Sequence, residues 1–131
     1  MQIIKTLTKI IFGLLFAVAG VNHFVDPAFY ESIMPPYLPW PSVLVILSGI
    51  AEISLGIALL IPAFSRFAAW GLIALLIAVF PANIHMATHP DLYPTIPVIF
   101  LWLRLPVQAL LILWAYWYTR ISDRKYTPFR R

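Results

Sequence analysis

Four apolar stretches, each about as long as a membrane-spanning helix, constrain the fold of this chain more than any other feature. They cover residues 3–24, 42–61, 67–86 and 97–119, and a spanning helix needs about 20 apolar residues. Because 62% of the residues are hydrophobic and only 11% are charged, a water-soluble domain of this size could not bury so much apolar surface. The sequence therefore predicts an all-α fold, a single domain over residues 1–131 that forms a transmembrane four-helix bundle.

The basic residues predict which side of the membrane each end of the bundle faces. Lys5 and Lys9 lie near the start of the first stretch, Arg66 lies in the second connection, and five further cations follow residue 119. The first and third connections contain no lysine or arginine. By the positive-inside rule, both termini are predicted to be cytoplasmic in a bacterial inner membrane, with a basic cytoplasmic tail over residues 120–131.

The net charge of +4 is explained by these topological cations, so no nucleic-acid partner is predicted. The chain contains no cysteine, which excludes disulfide bonds and thiolate metal sites. We therefore predict no metal site of this kind.

The N-terminal segment also fits a second interpretation. Its basic start, its apolar middle and the triplet Ala17, Val18 and Ala19 are typical of a cleavable signal peptide. Cleavage after Ala19 would leave three helices and an external N-terminus. The charge pattern and the continuation of the apolar stretch to Phe24 favour four crossings instead.

Two charged residues fall inside the apolar stretches. Glu52 lies ten residues after Ser42, hence about 15 Å deep, and Arg104 lies seven residues after Pro97, hence about 10 Å from the outer end. A charge at the centre of a bilayer costs about 2.5–3.5 kcal/mol, and such a residue is a candidate for function. We therefore expect Glu52 to be the partner of Arg104, with Gln108 or a water molecule bridging any difference in depth.

Polar side chains from all four stretches fall at a similar depth in the outer leaflet, which predicts a polar cavity that binds a ligand. The candidate residues are Asn22, His23, Glu52, Asn83, His85, Arg104 and Gln108.

Simpler interpretations of these residues remain open. A buried Glu–Arg pair can serve only to fix helix register, and His23 and His85 can bind lipid headgroups or loop carbonyls. Another alternative places a b-type haem between His23 and His85. The convergence of several polar groups from four helices favours a binding site, because a structural pair alone would not require them all.

Segments along most of the chain resemble a known family. They read GVNHFVDPAFYESIMPPYLPWP, LSGIAEISLGIALLIP, AAWGLIALLIAVFPANIHMA and LWLRLPVQALLILWAYWY. Over residues 12–118 the chain resembles the DoxX family of small membrane proteins, and more closely its uncharacterised DoxX-like branch. The resemblance implies a four-helix membrane protein related to subunits of quinol oxidase and thiosulfate:quinone oxidoreduction systems, with other branches that look like assembly factors.

The resemblance and the polar residues together give two functional hypotheses. The first is an accessory subunit of a redox-linked, quinone-associated membrane complex, whose cavity binds a quinone or lipid-like ligand while a redox partner protein supplies electrons. The second is a non-enzymatic assembly, scaffold or chaperone-like protein with a structural Glu–Arg pair. No intrinsic cofactor and no catalytic residue are predicted, membrane lipids surround the bundle, and homo-oligomerisation and enzymatic activity are left open.

Overall fold

Residues 2–120 are described by a computed structural model, and this part of the chain is helical without β-strands. Four of its helices are long and apolar enough to cross a membrane, which confirms the four predicted helices. The basic tail predicted beyond Arg120 lies outside the described residues. The elements are α1 (Gln2–Val25), α2 (Pro27–Ser32), α3 (Pro41–Leu60), α4 (Ser65–Thr88), a 3₁₀ turn (Pro90–Leu92) and α5 (Val98–Thr119).

The short helix α2 lies in the proline-rich first connection, where the sequence predicted only an interruption. Pro27 occupies the first turn of α2, where a missing N–H costs nothing, and the Asp26 side chain accepts a hydrogen bond from the Phe29 N–H at 3.4 Å. Trp40 then adopts a left-handed backbone conformation with φ 51° directly before α3. The prolines therefore shape this connection into a helix and a turn.

Helices α1 and α3 pack with their backbones in contact through two pairs of glycines. A Cβ atom added to Gly13 would lie 2.6 Å from the carbonyl oxygen of Gly56, and one added to Gly20 would lie 2.7 Å from that of Gly49. The glycines are seven residues apart on each helix, and they pair in the opposite order along α1 and α3. Small residues of this kind let antiparallel membrane helices approach closely.

Helix α5 packs mainly on α4, and α3 also contacts α4. The apolar core between the helices includes the fully buried side chains of Phe12, Leu59, Leu72 and Tyr118. The bundle thus consists of two helix pairs, α1–α3 and α4–α5, around a shared interior.

Contacts between distant segments place the start of α1, the start of α4 and the end of α5 at one end of the bundle. The Lys9 Nζ atom donates to Ser65 Oγ at 3.2 Å, and the Tyr118 hydroxyl donates to Thr8 Oγ1 at 3.0 Å. At the opposite end, the Tyr93 hydroxyl donates to the carbonyl oxygen of Ser32 at 2.6 Å. The four long helices therefore alternate in direction.

Candidate functional site

A cavity of about 470 Å³ lies between the two helix pairs, within the usual range of roughly 300–1,000 Å³ for sites that bind small molecules. Tyr30 of α2 and Ile33 and Met34 just after it also line the cavity. Its walls are mostly apolar. The polar residues among its lining are His23, Ser48, Glu52, Asn83, Arg104 and Gln108.

One polar wall of the cavity comes from α1 and α3. The Nε2 atom of His23 lies 2.9 Å from the Oε2 atom of Glu52, and both side chains are largely buried. Apart from this contact, Oε2 has no hydrogen-bond partner among the described residues. The close glycine packing of α1 on α3 brings the two side chains together.

The other ring nitrogen of His23 defines how the pair holds its protons. Nδ1 lies 3.1 Å from the carbonyl oxygen of Val45 and 3.1 Å from Ser48 Oγ. A carbonyl oxygen only accepts hydrogen bonds, so we assign a proton to Nδ1. The contact between Nε2 and the carboxyl oxygen then needs a proton between them, held either by His23 or by Glu52. The pair is neutral overall in both arrangements.

Tyr30 covers His23 from the side of α2. The two rings stack with centroids 3.9 Å apart and planes inclined by 27°, and the Asn22 Nδ2 atom donates to the Tyr30 hydroxyl at 2.8 Å. Asn22 is exposed and does not line the cavity. Asn22 therefore does not contact the cavity itself. Its side chain positions Tyr30, whose ring packs on the imidazole of His23.

The second polar wall comes from α4 and α5. The Arg104 Nε atom donates to Asn83 Oδ1 at 3.2 Å. The Asn83 amide donates in turn to Gln108 Oε1, and the Gln108 amide donates to the carbonyl oxygen of Leu76. Gln108 is 3% exposed, so this chain of hydrogen bonds satisfies buried polar groups that would each otherwise cost about 1–3 kcal/mol.

The predicted ion pair between Glu52 and Arg104 is not formed, and this prediction is wrong. Glu52 pairs with His23, and Arg104 bonds to Asn83. The physical reason is the helix pairing: α1 packs on α3 and α5 packs on α4, so each charged residue meets a polar partner on its own neighbour. The predicted depth in the membrane was similar for both residues, but depth does not determine which helices are in contact.

His85 is the other candidate residue that lies away from the cavity. Its ring stacks on His89 with centroids 4.3 Å apart, and it is absent from the cavity lining. A haem held between His23 and His85 does not fit this arrangement, because both ring nitrogens of His23 already have protein partners. The cavity thus brings together five of the seven candidates and leaves out Asn22 and His85.

Sequence reasoning did not assign Tyr30 or Ser48 to the site. Ser48 lies four residues before Glu52 and so shares its helix face, which was a usable signal. For Tyr30 the signal was the Asp26–Pro27 pair, which is typical of a helix start and would have placed a short helix beside the end of α1.

Tyr93, in the third connection, lies near the second wall. Its side chain is 6% exposed. Burial raises the pKa of the Tyr93 phenol above its ordinary value, and the positive charge of Arg104 partly opposes this increase. The phenol therefore remains protonated at physiological pH and keeps its hydrogen bond to the carbonyl oxygen of Ser32, which ties this connection to the end of α2.

The family comparison matches nearly the whole folded part of the chain. Residues 12–119 match the family described as "Domain of unknown function (DUF8561)", and the chain belongs to that family. No curated protein and no solved structure matches the chain.

This match overturns the resemblance to the DoxX family. The segments that suggested it combine small residues at helix contacts, prolines in the connections and polar residues inside apolar helices. Those features are needed by small membrane bundles in general, so their combination does not identify one family.

Proposed function

We propose that this protein is an integral membrane protein that binds one small amphipathic molecule, quinone or lipid-like, in the cavity between its helix pairs. The observation that supports this most is the distribution of polarity in the cavity. An otherwise apolar interior carries one polar cluster on the α1–α3 wall and another on the α4–α5 wall. Such a mixture of apolar lining and a few convergent polar groups is typical of ligand sites.

The orientation in the membrane is part of the same proposal. Lys5, Lys9 and Arg120 lie at the end of the bundle that contains the start of α1 and the end of α5, and Arg66 opens α4 at that end. By the positive-inside rule this end faces the cytoplasm of a bacterial cell. The polar clusters of the cavity would then lie in the outer leaflet.

A membrane quinone is one candidate ligand. Its carbonyl oxygens could accept hydrogen bonds from Arg104, while the proton held between His23 and Glu52 could be transferred during reduction. In that case a redox partner protein supplies the electrons, and this chain acts as its accessory subunit.

A structural role is the second candidate, and a specific observation favours it. The contact between His23 and Glu52 joins α1 to α3, and the bonds among Asn83, Arg104 and Gln108 join α4 to α5. Each polar cluster therefore also fastens one helix pair, as expected of a scaffold or assembly protein.

The two functions differ in what copurifies with the protein. Purification in a mild detergent, followed by mass spectrometry of extracted lipids and quinones, should find a species enriched over the bulk membrane. The variant Ala82→Phe fills the cavity wall and should lose that species. The control Ala78→Phe changes an exposed position of the same helix that does not line the cavity, so it should retain the species. If no species is enriched, or if both variants enrich the same species equally, the binding role would be refuted and the scaffold role favoured.

A further inference from the structure

The charges that line the cavity do not cancel. The cavity is lined by three ionisable groups that bear on its charge: His23, Glu52 and Arg104. With the proton assigned to Nδ1 of His23, which lies 3.1 Å from the Val45 carbonyl oxygen, the His23–Glu52 pair is neutral whichever residue holds the shared proton. The guanidinium of Arg104 is always protonated. The cavity wall therefore carries a net charge of one positive unit.

Arg104 has no acidic partner in the described part of the chain. Within residues 2–120, His23 and Glu52 form the one side-chain ion pair. The Arg104 Nε atom donates a hydrogen bond to Asn83 Oδ1. The two terminal nitrogens of Arg104, with four N–H donors, form no hydrogen bond to the described residues. Arg104 is only partly exposed. A cation at this depth is costly in a membrane unless it is paired or hydrated.

The cavity is long as well as charged. Its lining along α1 extends from Phe12 to His23, eleven residues and hence roughly 16 Å at the helical rise. Its polar groups come from the outer part of this length, whereas Phe12, Leu15 and Phe16 line the remainder. This shape suits a ligand with one polar head and an apolar chain.

We propose that the occupant is a singly charged acidic amphiphile whose carboxylate binds the terminal nitrogens of Arg104 and whose apolar chain lies along α1 towards Phe12. A carboxylate matches the planar donors of arginine and forms paired, charge-assisted hydrogen bonds. It also cancels the unbalanced charge, which a neutral quinone does not. This inference rests on the proposed binding function and specifies the chemical class of its ligand.

Two probes that differ only in their head group test the inference. Radiolabelled palmitate carries the carboxylate, and hexadecanol has the same chain length with a neutral head. Binding to the purified protein is measured by a scintillation proximity assay, with decylubiquinone as a third probe. Palmitate should bind the wild type at least tenfold more tightly than hexadecanol, a difference of about 1.4 kcal/mol, because a hydrogen bond to a charged group is stronger than one to a neutral group.

Substitutions of arginine residues distinguish a loss of charge in the cavity from a general loss of folding. Arg104→Gln keeps a donor near Asn83 and should weaken palmitate about tenfold without changing hexadecanol, whereas Arg104→Lys should retain part of the preference. Arg120→Gln removes an arginine that lies at the opposite end, beside Tyr116, and should change nothing. Equal binding of the three probes, unaffected by Arg104→Gln but abolished by Ala82→Phe, would overturn the acidic ligand and leave the binding function standing. Probes that bind no better to the wild type than to Ala82→Phe would overturn both.

Discussion

The Nε2 atom of His23 and the Oε2 atom of Glu52 lie 2.9 Å apart and join α1 to α3 inside the cavity. With a proton assigned to Nδ1 of the same imidazole, which lies 3.1 Å from the carbonyl oxygen of Val45, the contact needs one further proton. A histidine on one helix and a carboxyl group on another therefore form a neutral unit within an apolar interior. The remaining charge of the cavity is then that of Arg104.

Substitution of Glu52 should show that a hydrogen bond, rather than a negative charge, holds this contact. In Glu52→Gln the amide can donate to Nε2 of His23, so the free energy of unfolding should change by less than about 1 kcal/mol. Glu52→Leu leaves the buried Nε2 without a partner and should cost about 1–3 kcal/mol. Unfolding in mixtures of mild detergent and dodecyl sulfate measures both values, and equal losses in the two variants would contradict the assignment.

Replacement of a glycine between α1 and α3 should loosen the bundle. The added methyl group of Gly56→Ala would meet the carbonyl oxygen of Gly13 at 2.6 Å, and such overpacking costs about 1–3 kcal/mol. Gly71→Ala is the matched control, because its methyl group would meet only the end of the Leu55 side chain at 2.7 Å, which can rotate away. The midpoint of thermal unfolding should fall clearly for Gly56→Ala and little for Gly71→Ala. The reverse order would contradict the close glycine packing of α1 on α3.

The amides of Asn83 and Gln108 should behave as one unit. The Asn83 amide donates to Gln108 Oε1, and the Gln108 amide donates to the carbonyl oxygen of Leu76. A double-mutant cycle with Asn83→Ala and Gln108→Ala should give a coupling energy of about 0.5–3 kcal/mol, as is usual for side chains in contact. Additive losses of unfolding free energy would show that the two amides do not interact.

The orientation of the bundle can be tested with single cysteines, because the natural chain has none. Ala63 lies in the connection between α3 and α4, Thr95 lies in that between α4 and α5, and both are exposed. With a membrane-impermeant maleimide, Thr95→Cys should react in intact cells and Ala63→Cys only after permeabilisation. The opposite pattern would reverse the proposed orientation, and reaction of both from one side would contradict a membrane-crossing α4.

The helices of this fold were predictable because hydropathy alone determines where a spanning helix can lie. The predicted second stretch, 42–61, differs by one residue at each end from α3, which covers Pro41–Leu60. From the constant helical rise, the sequence also predicted a similar depth for four polar residues, Glu52, Asn83, Arg104 and Gln108. That reasoning placed them at one level of the bundle, where all four line the cavity.

The partners of these residues were not predictable from depth. Arg104 was expected to meet Glu52, but a bundle of four helices allows several neighbour arrangements, and each one pairs different side chains. The glycines of α1 and α3 determine the arrangement here, because their seven-residue spacing on both helices allows the backbones to touch at two levels. His85 was predicted at the same level, but its ring stacks on His89 and does not line the cavity.

Native mass spectrometry of the protein released from a mild detergent tests the central proposal most directly. The proposal predicts one bound small molecule per chain in the wild type and in Ala78→Phe, and its loss in Ala82→Phe, whose added ring occupies the cavity. A wild-type spectrum that contains only the mass of the chain, or a bound species that persists unchanged in Ala82→Phe, would contradict it.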